Sequence, residues 1–155
     1  MPLHLPRPAR HSSLLLTAAV ALLLGLPASA QPMPKLPTTQ INIGIHLITA
    51  EVAANGPARE RGLMERSRMG TNEGMLFVFN APAHTCMWMK NTLIPLAVAF
   101  IDAGGTIINI EEMQAQTTDS HCAAREASFA LEMNQHWFSQ RNIKPGTRVD
   151  GLAAR

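Results

Sequence analysis

The sequence predicts an α+β chain dominated by strands: an antiparallel coiled sheet or barrel with one or two short helices. Three observations carry that prediction. The stretch Gly74 to Asp102 holds three dense apolar runs bounded by Ala81-Pro82, Lys90-Asn91-Thr92 and Pro95, the pattern of buried strands. Asp102-Ala103-Gly104-Gly105 then signals a tight turn, with Thr106 to Ile110 pairing back as a hairpin. Alternating apolar residues recur at both ends of the chain, in Ile41 to Val52 and in Ser128 to Asn134.

Taken in order, Ile41, Ile43, Ile45 and Leu47 share one face, and Ile48, Ala50 and Val52 then reverse the phase. A phase flip inside one strand predicts a β-bulge near Leu47. Asn55-Gly56-Pro57 is a turn that starts a short helix over Ala58 to Arg66, with Pro57 suited to its first position. Gly62 inside that helix is unfavourable by about 1 kcal/mol, and close packing of the helix on a strand would explain it. Met75 to Phe79 reads as a strand broken by Ala81-Pro82. Thr85 to Lys90 reads as another, with Cys86, Trp88 and Lys90 on one face and Met87 and Met89 on the other. Leu96 to Ile101 is apolar on both faces and should be fully covered. Glu111 to Glu126 is polar and loop-like. Phe129, Leu131 and Met133 take the core face of their strand, with Glu132 opposite. His136 to Arg141 suggests a helical turn, and Arg148 to Leu152 a last short strand.

The first thirty residues stand apart. Arg7, Arg10 and His11 precede an apolar core, Leu14 to Leu26, and the small-residue site Ala28-Ser29-Ala30. That is the grammar of a secretory signal peptide, and a core of 13 residues falls short of the roughly 20 that a spanning helix needs. The expected organisation is a signal peptide over 1–30, a proline-rich tether over 31–39 and a single domain over 40–155. Cleavage after Ala30 implies a periplasmic or secreted protein without a membrane span. No cysteine stands directly after the site and no Arg-Arg pair precedes the apolar core, which favours the general secretory route.

Arg7 and Arg10 account for the whole formal excess of +2, leaving eleven basic and eleven acidic residues after the leader. A balanced chain with no basic run offers no electrostatic case for nucleic acid. Cys86 and Cys122 are the only cysteines. In an oxidising compartment they read first as a disulfide, with free thiols, a metal pair or a redox couple as alternatives.

The candidate chemistry is a polar set: Arg61, Trp88, Lys90, Asn91, Thr92 and Glu132. If their strands are neighbours, a carboxylate and an ammonium meet beside an indole. Such a cluster suits a small polar ligand or a peptide, or acid–base work by Lys90 or Glu132 if a pKa is shifted. The bland alternative is a structural ion pair and a capped turn. Met87-Trp88-Met89 beside Cys86, with His84, His121 and His136 elsewhere, raises Cu(I) binding as a further alternative; no resident metal is expected from ligand spacing. No G-x-S-x-G, H-E-x-x-H, Walker loop or dinucleotide fingerprint is present, and no cofactor is expected.

Arg61-Gly62-Leu63-Met64-Glu65-Arg66, Gly74-Met75-Leu76-Phe77-Val78-Phe79, Trp88-Met89-Lys90-Asn91-Thr92 with Ile94-Pro95-Leu96, and Leu131-Glu132 together resemble the domain of unknown function 192 family, over roughly residues 41 to 152. The resemblance implies a compact β-rich domain, often exported, with no established activity and no catalytic residues to transfer. It also favours the Cys86–Cys122 pairing, as in secreted proteobacterial members. Where the family usually has an aspartate after Ile/Leu-Pro-Leu, this chain has Ala97.

Overall fold

A computed structural model describes residues 35–152. The expected leader, its cleavage point and the start of the tether lie outside the described residues. The elements run β1 (Thr38–Ile43), β2 (His46–Ala53), α1 (Gly56–Arg61), β3 (Glu73–Ala83), β4 (Cys86–Met87), β5 (Leu96–Ile101), β6 (Ile107–Met113), β7 (His121–Cys122) and β8 (Ala127–Asn134), followed by a 3-10 turn at Ser139–Arg141. Six strands form one sheet in the order β1-β2-β3-β8-β5-β6, and β4 pairs with β7 as a separate ribbon. The β-dominated class read from the sequence is the one adopted. The sheet is open, with β1 and β6 at its edges.

The segment 146–150 reaches both edges. Asn42 and Asp150 exchange backbone hydrogen bonds of 3.0 and 2.9 Å, and the Gly146 N–H donates to the Ile107 carbonyl at 2.8 Å. The strand expected over Arg148 to Leu152 is thus reduced to two isolated bridges, Asn42 with Asp150 and Thr106 with Arg148.

The predicted bulge near Leu47 is instead a hairpin turn. Gly44 sits at φ +59° and Ile45 is 94% exposed, so the chain reverses there and β1 pairs antiparallel with β2. Glycine first in a two-residue loop, with no positive φ at the second, matches the turn twist that hairpins prefer. The phase flip has a simple cause: reversal places Ile41 opposite Ile48, so both enter the same core.

One pairing departs from the antiparallel rule. β2 and β3 run parallel, which requires a crossover, and the 54–72 connection carrying α1 supplies it. β3 also continues through Ala81-Pro82 to Ala83, with its register on β8 slipping after Val78. Its pairing with β2 ends at Phe77, so Pro82 interrupts no bond of the β2–β3 ladder. The polar region after Glu111 is less loop-like than expected, since β6 runs to Met113 and β7 takes His121–Cys122.

Both faces of the sheet are covered. One face packs Ile41, Ile48, Leu76, Ile101, Leu131 and Met133 with Trp137 and Phe138 from the chain after β8. The other packs Met75, Phe77, Leu96, Val98 and Phe100 under Leu63 and Met89. All six residues of β5 are buried, as its unbroken apolar run predicts. Among the described residues no helix is long and apolar enough to cross a membrane.

Candidate functional site

β8 lies between β3 and β5, and alternation divides its side chains between the two cores. Phe129, Leu131 and Met133 enter the first. Glu132 therefore enters the second, in register with Met75 on one side and Val98 on the other, both fully buried. Its exposure is only 5%. No hydrogen bond or ion pair reaches its carboxyl among the described residues. Burial alone pushes that carboxyl up to about 8, so it is neutral at physiological pH.

Glu132 lines a cleft of about 110 Å³ formed with the end of α1 and its following turn (Arg59 to Met64), Phe77, the Cys86 to Trp88 segment and Thr92. Liquid water occupies about 30 Å³ per molecule, so the cleft holds a few heavy atoms. α1 reaches this position because the β2–β3 crossover must pass over the sheet. Its start is capped by Asn55, whose side-chain oxygen accepts from the Ala58 N–H at 2.9 Å. The helix ends at Arg61, earlier than the predicted Arg66, because Gly62 leaves helical geometry at φ +50°. A Cβ on Gly62 would lie 3.2 Å from the Phe77 ring, so the close packing expected of this glycine is present as well.

Both arginines on this wall already have acceptors. Arg59 donates to the Ala54 and Val78 carbonyls at 2.8 and 3.0 Å. Arg61 pairs with Glu65 at 3.1 Å. That pair is exposed and contributes little to stability. Glu60, also on the wall, has no ion-pair partner among the described residues.

Cys86 and Cys122 form the facing ribbon, at disulfide distance with 2.04 Å between sulfurs. The strand predicted over Thr85 to Lys90 stops at Met87, because the chain turns at Lys90-Asn91 with Asn91 at φ +61°. The predicted alternation nevertheless survives beyond the strand: Met89 is fully buried, while Trp88 is 51% exposed with the Lys90 ammonium 5.5 Å from its ring centroid. The Asn91 carbonyl accepts from the Glu65 N–H at 2.9 Å, tying this turn to the one after α1. Thr92, at 4% exposure, is buried against the cleft.

Of the six residues singled out from sequence, Arg61, Trp88, Thr92 and Glu132 line one cleft. Lys90 and Asn91 do not line it: Lys90 covers the indole, and Asn91 shapes the turn. Sequence reasoning missed Glu60, Gly62 and Phe77 as cleft residues, although each lies in or beside a block that carries the family resemblance. It also missed the depth of Glu132, because a carboxylate opposite a core face reads as solvent-facing. The copper alternative loses its thiolate, since Cys86 is bonded to Cys122. Ala97 pairs with Met133 and packs in the first core, so that position lies across the sheet from Glu132.

A wider depression of about 430 Å³ is lined by Asp102 and Arg125, with His84 and Glu126. Burial raises the Asp102 carboxyl, but hydrogen bonds from the Thr106 N–H, Arg125 and the Gly104 N–H outweigh it and hold the group below its usual range. Asp102 has a cationic partner there, Arg125 at 3.1 Å, whereas Glu132 has none among the described residues.

Fold and cleft together define a small β-rich domain, with a cystine beside one wall of a cleft that holds a buried carboxyl. The profile of the domain of unknown function 192 family, described as an uncharacterized ACR, matches residues 38–151, and the chain belongs to that family. The chain is similar to several solved structures, two of which follow. One is a Sinorhizobium meliloti 1021 protein named, provisionally, a transcription regulator: 30% identical, TM-score 0.75, covering 77% of this chain and 98% of that one. The other is a Novosphingobium aromaticivorans DSM 12444 protein of unknown function: 29% identical, TM-score 0.72, covering 81% of this chain and 89% of that one. No curated protein matches the chain in sequence.

Proposed function

We propose that this protein is an exported binding module, periplasmic or secreted, whose Glu132 cleft holds a small polar ligand or the end of a peptide. The observation that carries the reading is a carboxyl only 5% exposed, lining a cleft, with no partner of its own. Burying such a group without a hydrogen bond is unfavourable by several kcal/mol on apolar-transfer scales, and a ligand that bonds to it would recover part of that loss. The half-exposed Trp88 beside it supplies an aromatic surface of the kind found at recognition sites. The leader grammar supports export, and the balanced charge after it supports no nucleic-acid partner.

The test is a nuclear magnetic resonance titration of the isotopically labelled protein with n-butanol, butyramide, butyrate and n-butylammonium. At least one of these should shift the Trp88 and Thr92 amides in wild type and lose that effect in Trp88→Ala. If none of them moves either resonance, the cleft is not a binding site.

One observation favours a second reading, an enzyme. A carboxyl held at about 8 is poised to exchange protons near neutral pH, so Glu132 has the character of a general acid or base. Lys90 is less suited to that role, since its ammonium sits over the Trp88 ring and does not line the cleft. A bound compound recovered unchanged from wild type by mass spectrometry would favour binding. Conversion that disappears in Glu132→Gln would favour the enzyme.

A further inference from the structure

We propose that the group this cleft recognises is a primary ammonium, with Glu132 as its counter-ion. The inference rests on the binding reading above and names its ligand chemistry. Its basis is the way the polar groups of one small cavity are, and are not, engaged. The two cations on the wall are already engaged: Arg59 by two backbone carbonyls and the Asn80 side chain, and Arg61 by Glu65. The two acids, Glu60 at the wall and Glu132 within, have no ion-pair partner among the described residues. What the buried Glu132 carboxyl lacks is a donor, and a cationic one would also hold it ionised.

The remaining walls agree with that chemistry. Thr92, 4% exposed, offers a hydroxyl oxygen as a further acceptor for an N–H. Phe77 and Met87 suit an alkyl stem. Trp88 already attracts one ammonium, that of Lys90, and indole is the best of the aromatic faces for a cation. A volume near 110 Å³ admits the tip of an unbranched amine and leaves the rest of its molecule outside.

The charged or titratable groups lining the cavity with Glu132 are Arg59, Glu60 and Arg61; β3, β5 and the Cys86 to Trp88 side contribute only uncharged groups. Since both arginines are spoken for, no fixed cation holds Glu132 ionised. Ammonium binding then displaces the Glu132 proton, and affinity is linked to pH. Below about pH 8 the association constant should rise ~tenfold per pH unit, and it should level off above that.

The experiment is calorimetric titration of the purified protein, disulfide intact, with n-butylammonium, and with n-butanol and butyrate as neutral and anionic counterparts of equal length. Repeating it in two buffers of different ionisation enthalpy counts the protons exchanged. The expected result is binding of n-butylammonium alone, with close to one proton released per ligand near neutral pH and both effects absent in Glu132→Gln. The wild-type proton count stands even if the variant fails to fold. Butanol or butyrate binding while n-butylammonium stays inert would overturn the ammonium assignment and leave the cleft as a binding site. No binding by any of the three would overturn both. Binding of n-butylammonium without proton release would remove Glu132 as the counter-ion. Two further probes separate sources of the same group: Nα-acetyl-lysinamide binding supports a lysine side chain, and alaninamide binding supports a free peptide N-terminus.

Discussion

Replacing Glu132 by glutamine isolates the physics of the site, because it keeps the shape and removes the ionisation. Burial raises the Glu132 carboxyl from 4.5 to about 8, a displacement worth about 5 kcal/mol between protonation states. In the unfolded chain this group loses its proton near its ordinary value, while the folded protein keeps it to about pH 8. Between those points the native state binds the extra proton, so stability must fall as pH rises. Below the window the group carries no penalty, and above it the loss is complete. Glutamine does not titrate. The stability difference in favour of Glu132→Gln should therefore open from a constant offset near pH 4 by about 5 kcal/mol on reaching about pH 9, most of it between pH 5 and 8. For a domain of this size that is roughly 15–20 °C in melting temperature. Urea denaturation followed by circular dichroism across that range, with the disulfide intact, measures it. Curves for wild type and variant that stay parallel throughout would refute the claim that the carboxyl is buried without a partner.

Other substitutions test the scaffold around it. Converting Cys86 and Cys122 to serine frees a loop of 36 residues' separation and should lower stability by about 4 kcal/mol in the chain-entropy description, measured by urea denaturation; it should also broaden the Trp88 amide resonance. Trp88→Ala, at a half-exposed position, should change stability by only about 1 kcal/mol or less while abolishing probe binding in the cleft. A large drop in melting temperature would instead make the indole a structural element. Asn55→Ala removes the acceptor for the Ala58 N–H and should destabilise by about 1 kcal/mol, with faster amide hydrogen exchange confined to α1 and the wall it carries.

Individual residues show where sequence reasoning reached and where it stopped. Leu96 to Ile101 was legible because a run apolar on both faces has no place except between two layers, and it is buried throughout. The turn at Asp102 to Gly105 was legible from local chemistry, since its aspartate bonds the Gly104 and Thr106 amides. The turn at Gly44 was not, because isoleucine at its second position disguised it as part of a strand. The parallel pairing of β2 with β3 was equally hidden, as pairing direction depends on where a connection leads and not on the strand's own residues. At the site, the blocks around Arg61 and Trp88 were visible as unusual, yet nothing local separated Lys90, which stays outside the cleft, from Thr92, which lines it.

What the sequence determined by itself was the alphabet of this fold: short strands with fixed faces, a helix start at Asn55-Gly56-Pro57, and one pair of cysteines able to bridge. These are consequences of bond rotation, side-chain alternation and local hydrogen bonding, and they act over a few residues. Only the tertiary structure decided that the polar face of β8 would also be covered. The β2–β3 crossover and the cystine ribbon close over it, and a glutamate that alternation alone assigns to water is left in an apolar layer without a partner. Desolvation depends on everything packed around a group, and so the property that makes Glu132 chemically distinctive belongs to the assembled fold.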